Sequence, residues 1–133
     1  MQYISTRNSK LSASFVDIFL NALSPDGGLY VPNKLPVFSL KELDEFKKLP
    51  YKELAAKIIH KFCLDEFSED EIKEIIKKSY KNFKEENVVV LKKFNNIHLL
   101  ELFHGPTLAF KDIAMQIIGN MYETILLKKK NYI

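Results

Sequence analysis

Tyr51, Leu54, Ala55, Ile58, Ile59 and Phe62 recur at offsets 0, 3, 4, 7, 8 and 11, and an α-helix with about 3.6 residues per turn brings them onto one face. Ile72, Ile75, Ile76, Ser79, Tyr80 and Phe83 repeat the same offsets, with a serine at one of them. Each stripe has to be covered, so two matched stripes predict an antiparallel helix pair. Ser68 with Glu71 forms a capping box ahead of the second stripe, in which serine oxygen and carboxylate each satisfy an unpaired backbone donor. Ser39 with Glu42 repeats the device before a shorter helix through Leu40, Leu43 and Phe46. The polar positions of these helices converge on no chemical group, so the middle of the chain reads as scaffold.

The flanks are mixed. Gln2 to Ile4 reads as a short strand, and Ser12 or Ser14 caps a helix bearing Phe15, Ile18, Phe19 and Ala22 that stops near Pro25. Asp26-Gly27-Gly28 is a turn, followed by the strand Leu29-Tyr30-Val31 closed by Pro32. Val88 to Leu91 and Ile97 to Glu101 flank Lys92 to Asn96 and predict a hairpin. From Leu108 to Ile118 the pattern is helical, with only Lys111, Asp112 and Gln116 polar. Phe110, Ile113, Ile117, Met121 and Ile125 form its stripe, and a helix so apolar on nearly every side is normally buried in something larger. Lysines in its last turns suit a helix C-terminus, and Asn131-Tyr132-Ile133 then offers no glycine cap or obvious partner strand. The fold class expected is α+β, mainly helical with short N-terminal strands and a hairpin.

A length of 133 residues suits one ordinary domain. Lys and Arg outnumber Asp and Glu by 20 to 17, but the lysines mostly alternate with acids, which describes a solvated surface and no nucleic-acid stripe. Cys63 is the single cysteine, which excludes an internal disulfide and a cysteine-rich zinc site and fits a reducing, cytoplasmic compartment. No ligand spacing surrounds His60, His98 or Cys63, so no metal is expected. There is no signal-peptide pattern, and no apolar run approaches the roughly 20 residues that cross a bilayer.

Chemistry concentrates in Leu100-Glu101-Leu102-Phe103-His104-Gly105-Pro106-Thr107-Leu108-Ala109-Phe110-Lys111-Asp112. Thr107 stands where an N-cap belongs, which places Lys111 near the first helical turn. There the helix dipole and the apolar neighbours Phe110, Met115 and Ile118 are expected to lower the lysine pKa, partly offset by Asp112. A neutral amine attacks aldehydes. Periodicity alone favours a lysine that snorkels to solvent, since most helical lysines are surface residues. His104 either orients a ligand or bonds backbone in a turn, and Thr107 either contacts a phosphate or caps. Arg7 either grips a phosphate through its bidentate donors or makes a surface ion pair. Asp26 reads as a turn former. Gly27, Gly28, Gly105 and Gly119 are the only glycines and form no phosphate-binding cluster.

The run from Leu100 to Asp112 closely resembles the threonine synthase segment around the cofactor lysine, and its Pro-Thr-x-x-Phe-Lys-Asp core recurs in pyridoxal-phosphate enzymes of the tryptophan-synthase-β-like fold. Tyr3-Ile4-Ser5-Thr6-Arg7 and Ala22-Leu23-Ser24-Pro25-Asp26-Gly27-Gly28-Leu29-Tyr30-Val31-Pro32 resemble the N-terminal region of the same family. Asn8 replaces the glycine usually found after Ser-Thr-Arg. The resemblance implies a lyase that converts O-phospho-L-homoserine and water into L-threonine and phosphate, with pyridoxal 5'-phosphate held by Lys111 as a Schiff base. It also implies a family-type N-terminal region over residues 1–85 and the opening of a larger α/β cofactor-binding domain over 86–133. Family enzymes are far longer, so the remainder of such a chain is an expected partner and the 133 residues alone are expected to be inactive. The unsupported last helix is expected to fray, refold against the N-terminal region or self-associate. The competing reading is a small helical interaction domain without catalysis, which leaves the Phe103 to Asp112 run unexplained.

Overall fold

The computed structural model describes residues 1–130. In chain order it forms β1 (Tyr3–Ser5), β2 (Ser12–Ala13), α1 (Phe15–Asn21), β3 (Tyr30–Pro32) and α2 (Leu40–Phe46). Then come α3 (Tyr51–His60), α4 (Glu69–Ser79), β4 (Val90–Phe94), β5 (Ile97–Glu101) and α5 (Asp112–Lys130). The mixture is α+β, as the sequence predicts. β1 lies between β2 and β3 in an antiparallel sheet, with Tyr3 opposite Pro32 and Ser5 opposite Tyr30. Both predicted capping boxes form, at Ser39 with Glu42 and at Ser68 with Glu71. A third joins Ser14 to Asp17, which settles the start of α1 on Ser14 and leaves Ser12 in β2. That helix ends at Asn21, short of Pro25, because Ala22 turns out of it with φ +62°.

α3 and α4 run antiparallel. The Tyr51 ring at the head of α3 meets the Tyr80 ring past the tail of α4 at 5.7 Å, and His60 Nε2 at the other end lies 3.0 Å from the Phe67 carbonyl. The helices are shorter than the stripes, so Phe62 and Phe83 continue them in turns that follow. Between the pair, Ile72, Ile75, Ile76 and Tyr80 are buried with Cys63 and Phe67, and Met121 and Ile125 of α5 close the core. Each large aliphatic side chain withdrawn from water here contributes roughly 1.5–3 kcal/mol. α1 packs on the far side through Phe19, 5.2 Å from the Tyr122 ring. Tyr3 fastens the sheet to the helices by donating its hydroxyl to the Phe62 carbonyl at 2.6 Å.

Buried hydroxyls fix α5 along its axis. Tyr80 donates to the Ile113 carbonyl at 3.0 Å, and the single Ser79 hydroxyl proton is shared between the carbonyls of Ile75 and Gln116, 2.7 and 3.1 Å from Oγ. At the far end Lys128 meets Glu71 at 2.7 Å and lies over the Phe67 ring. The serine in the second stripe is thus the polar link between helices. The hairpin is tighter than predicted: Phe94 pairs with Ile97 across Asn95-Asn96, Asn95 having φ +52°, so Lys92 to Phe94 belong to the strand. α5 begins at Asp112, not Leu108, and Phe110 stands outside its stripe, 61% exposed. The ending Asn131-Tyr132-Ile133 lies outside the described residues.

Candidate functional site

β5 delivers the chain to the head of α5 through residues 102–111, which fold as successive tight turns and not as helix. Leu108 N–H donates to the Gly105 carbonyl, Asp112 N–H to that of Ala109, and Ile113 N–H to that of Phe110. The Lys111 carbonyl accepts from Ala114 N–H at 3.1 Å and Met115 N–H at 2.8 Å, so Lys111 itself occupies the cap position assigned from sequence to Thr107. The Thr107 assignment fails because its hydroxyl is committed elsewhere. Lys111 is exposed, with Nζ 4.2 Å from the centre of the Phe110 ring, a cation–π contact. Phe110, Met115 and Ile118 are exposed themselves, so the expected apolar enclosure of Lys111 is not built by these residues.

The order of the loop comes from Asp112. Its buried carboxylate accepts from Thr107 N–H at 2.8 Å and from Thr107 Oγ1 at 2.8 Å, closing a clasp around residues 107–112. Burial alone would raise this carboxyl, but the bonds from the Thr107 hydroxyl and backbone outweigh it and hold the pKa below the usual carboxylate range. Gly105 lies against the clasp so closely that a Cβ there would stand 2.4 Å from Asp112 Cβ. Leu108, inside the clasp, takes φ +61°, an uncommon conformation for a branched, non-glycine residue.

His104 stands at the entrance to the loop. Its Nε2 is 2.9 Å from Glu101 Oε2, and the other oxygen of that buried carboxylate meets Lys92 at 2.7 Å. Lys92 foremost, opposed by burial and aided by His104, holds the Glu101 carboxyl low. The His104 carbonyl also accepts from Lys84 N–H at 2.9 Å, tying the loop to the segment after α4. Arg7 belongs to a different cluster: Nη1 donates to the Asp26 carbonyl at 3.1 Å, replacing the ion pair expected as its alternative role. Asp26 is the turn former predicted. Its carboxylate accepts from Gly28 N–H at 2.9 Å and from the buried Ser5 hydroxyl at 2.8 Å. A Cβ at Gly28 would stand 2.3 Å from Ser5 Oγ, so only glycine fits that turn.

The structure therefore gathers His104, Thr107 and Lys111 in one loop, and among the described residues no hydrogen bond or ion pair joins Arg7 to it. Sequence reasoning missed Asp112 as the organiser of the loop, taking it only for a charge beside Lys111. It also passed over Glu101, whose burial follows from its place at the end of the hairpin and leaves no mark in local periodicity. Among the described residues no group of His, Cys, Asp and Glu is arranged to hold a metal ion, and no helix is long and apolar enough to cross a membrane.

Residues 2–80 match the family model described as threonine synthase N terminus. The chain is 42% identical over 130 residues to threonine synthase of Pseudomonas aeruginosa, an alignment covering 97% of this chain and 28% of that protein. It superposes on PLP-bound threonine synthase from Brucella melitensis with a TM-score of 0.93 at 34% identity, over 98% of this chain and 28% of that one. For threonine synthase from yeast the TM-score is 0.90 at 36% identity, over 96% and 27%. The chain thus spans little more than a quarter of the length of these relatives.

Proposed function

Because the chain belongs to the threonine synthase N-terminal family, whose model matches residues 2–80, we propose that it is the opening part of a threonine synthase. On this reading the full-length protein is a cytoplasmic pyridoxal-phosphate-dependent lyase that converts O-phospho-L-homoserine and water into L-threonine and phosphate. Residues 1–85 form its N-terminal region and residues 86–133 the beginning of its cofactor-binding domain. The observation that carries the reading is Lys111. It presents an exposed primary amine at the junction of loop and α5, with no carboxylate paired to it among the described residues and its one neighbouring carboxylate bound to Thr107. A lysine amine is the side-chain group that captures the aldehyde of pyridoxal phosphate.

When bound, the cofactor supplies an electron sink for charge that develops on the substrate. This chain's own part is narrower. Lys111 would hold the cofactor through its amine and would carry protons at substrate Cα and Cβ. Thr107 and His104 precede Lys111 on the same loop and are offered as substrate contacts, His104 with its ring oriented by Glu101. Arg7, which spends only Nη1 on the Asp26 carbonyl among its described bonds, is offered for the substrate phosphate. The donors that would surround the cofactor phosphate and ring are assigned to the remainder of the chain.

In the full-length protein, borohydride reduction in the presence of pyridoxal phosphate followed by peptide mass mapping should place the pyridoxyl group on Lys111. Lys111→Ala should abolish phosphate release from O-phospho-L-homoserine. Labelling of Lys92 or Lys93 in place of Lys111, or substantial turnover by the alanine variant, would overturn the proposal.

A further inference from the structure

We propose that Asp112 is a positioning residue for Lys111, acting through its clasp on Thr107 and not through contact with substrate or cofactor. The inference rests on the reading of Lys111 as the cofactor lysine and extends it. Asp112 is the residue that follows Lys111, and its carboxylate is the anion that the chain itself places beside that ammonium. It nevertheless turns back into the loop, where both oxygens are taken by Thr107 N–H and Oγ1 at 2.8 Å. Two consequences follow.

Lys111 Nζ is left without an ion pair to its own sequence neighbour, and its described contact is the Phe110 ring at 4.2 Å. In addition, the backbone from Thr107 to Asp112 becomes a ring closed by a doubly bonded carboxylate, and Lys111 is held inside it. Buried carboxylate bonds of this kind resist exchange with water. Gly105 belongs to the same device, because a Cβ there would stand 2.4 Å from Asp112 Cβ and 2.5 Å from Oδ2, forcing the clasp open. Leu108 at φ +61° shows the loop held in a conformation that its own residue does not favour. Tyr80 and Ser79 anchor the next turns of α5 at the Ile113 and Gln116 carbonyls, so the helix below the clasp is fixed and displacement of the loop falls on Lys111.

The test compares full-length wild type with Asp112→Ala, Asp112→Asn and Gly105→Ala, using Ile76→Val in the buried core as a control for lost stability alone. Without cofactor, amide hydrogen exchange at residues 107–111 should accelerate about tenfold or more in Asp112→Ala and Gly105→Ala while exchange in α4 stays unchanged. With cofactor, label should remain on Lys111, but kcat should fall by about 10- to 100-fold with KM within about twofold. The visible circular dichroism of the bound cofactor should weaken in parallel. Asp112→Asn, which keeps an acceptor for Thr107 N–H, should recover part of kcat, and it serves if the alanine variant fails to fold. The Ile76→Val control should lose thermal stability with kcat unchanged. If the variants lose only stability, with loop exchange, kcat and dichroism following the control, the positioning role is overturned and the reading of Lys111 stands. If the wild type itself is labelled at another lysine, that reading falls and the role of Asp112 with it.

Discussion

Cys63 and Tyr3 are weak acids that burial keeps protonated, and both face the Glu66 carboxylate. Burial first, then Glu66, pushes the Cys63 thiol from 9.0 to about 12. Burial, then Cys63 and Glu66, pushes the Tyr3 hydroxyl from 10.0 to about 12. An unfolded chain loses these protons at lower pH than the folded one, so the stabilisation is complete below pH 9 and is lost as pH rises from 9 through about 12. Urea unfolding of the chain should therefore give a midpoint that falls over that alkaline range, and Cys63→Ala should flatten the fall while lowering stability at neutral pH. An unchanged slope in the variant would remove Cys63 from the account. Ile75, 3% exposed, should cost roughly 2 to 5 kcal/mol when cut to alanine, measured by the same method. Ile58 is half-buried and should cost less, although it too lies on the apolar stripe of its helix. Residue type and spacing therefore identified the stripe but not its depth. Lys111 was singled out because its segment resembles a specific family motif; the clasp made by Asp112 was not legible, since a carboxylate turned back on a threonine five residues earlier has the same sequence as one facing solvent.

The helices whose ends were legible are those whose caps are written in the sequence. Ser39 and Ser68 accept from the backbone N–H of Glu42 and Glu71, and each carboxylate returns the bond. Ser68→Ala should lower stability by about 0.5–2 kcal/mol, read from chemical unfolding, with α4 fraying first in hydrogen exchange. No loss would mean that packing against α3 alone sets its start. The Ser39 backbone N–H first, then Lys61, draws the Glu42 carboxyl from 4.5 down to about 2. Its contribution is accordingly complete above pH 4.5 and lost as pH falls from there toward about 2. In Glu42→Gln the stability lost on acidification over that range should be smaller than in wild type, and an identical acid profile would refute the assignment. The start of α5 was misread for the opposite reason. Residues 108–111 carry helix-compatible spacing, but Thr107 is bonded to Asp112 and Leu108 sits at positive φ, so other bonds replace the helix that periodicity suggests. The hairpin was located correctly and its turn drawn too wide, because the Phe94 and Ile97 pair closes over two asparagines.

At the scale of the whole molecule, the helical core is covered, while the hairpin and the outer face of α5 are not. Leu91 is 64% exposed, Ile97 70% and Phe94 56% on a hairpin of two strands, an arrangement that is marginally stable in water by itself. Met115, Leu126 and Leu127 are likewise exposed on α5, whose other face packs against α4 and α1. The sequence had signalled this: a helix apolar on nearly every side covers one face here, against α4 and α1, and presents the rest to solvent. Relatives some three to four times longer, of which this chain matches 28%, have chain to spare for such surfaces. The 133 residues by themselves should therefore self-associate through the hairpin and α5, and should hold pyridoxal phosphate weakly, spreading label over several lysines. Sedimentation velocity across a concentration series should show this association, and Leu91→Lys with Ile97→Glu should shift the chain toward monomer without changing its helical dichroism. Phosphate release from O-phospho-L-homoserine should be absent with saturating cofactor and recovered when the complementary portion is supplied. A chain that stays monomeric at high concentration with its hairpin protected from exchange would refute the structural half of this expectation, and Lys111-dependent turnover without the complement would refute the catalytic half.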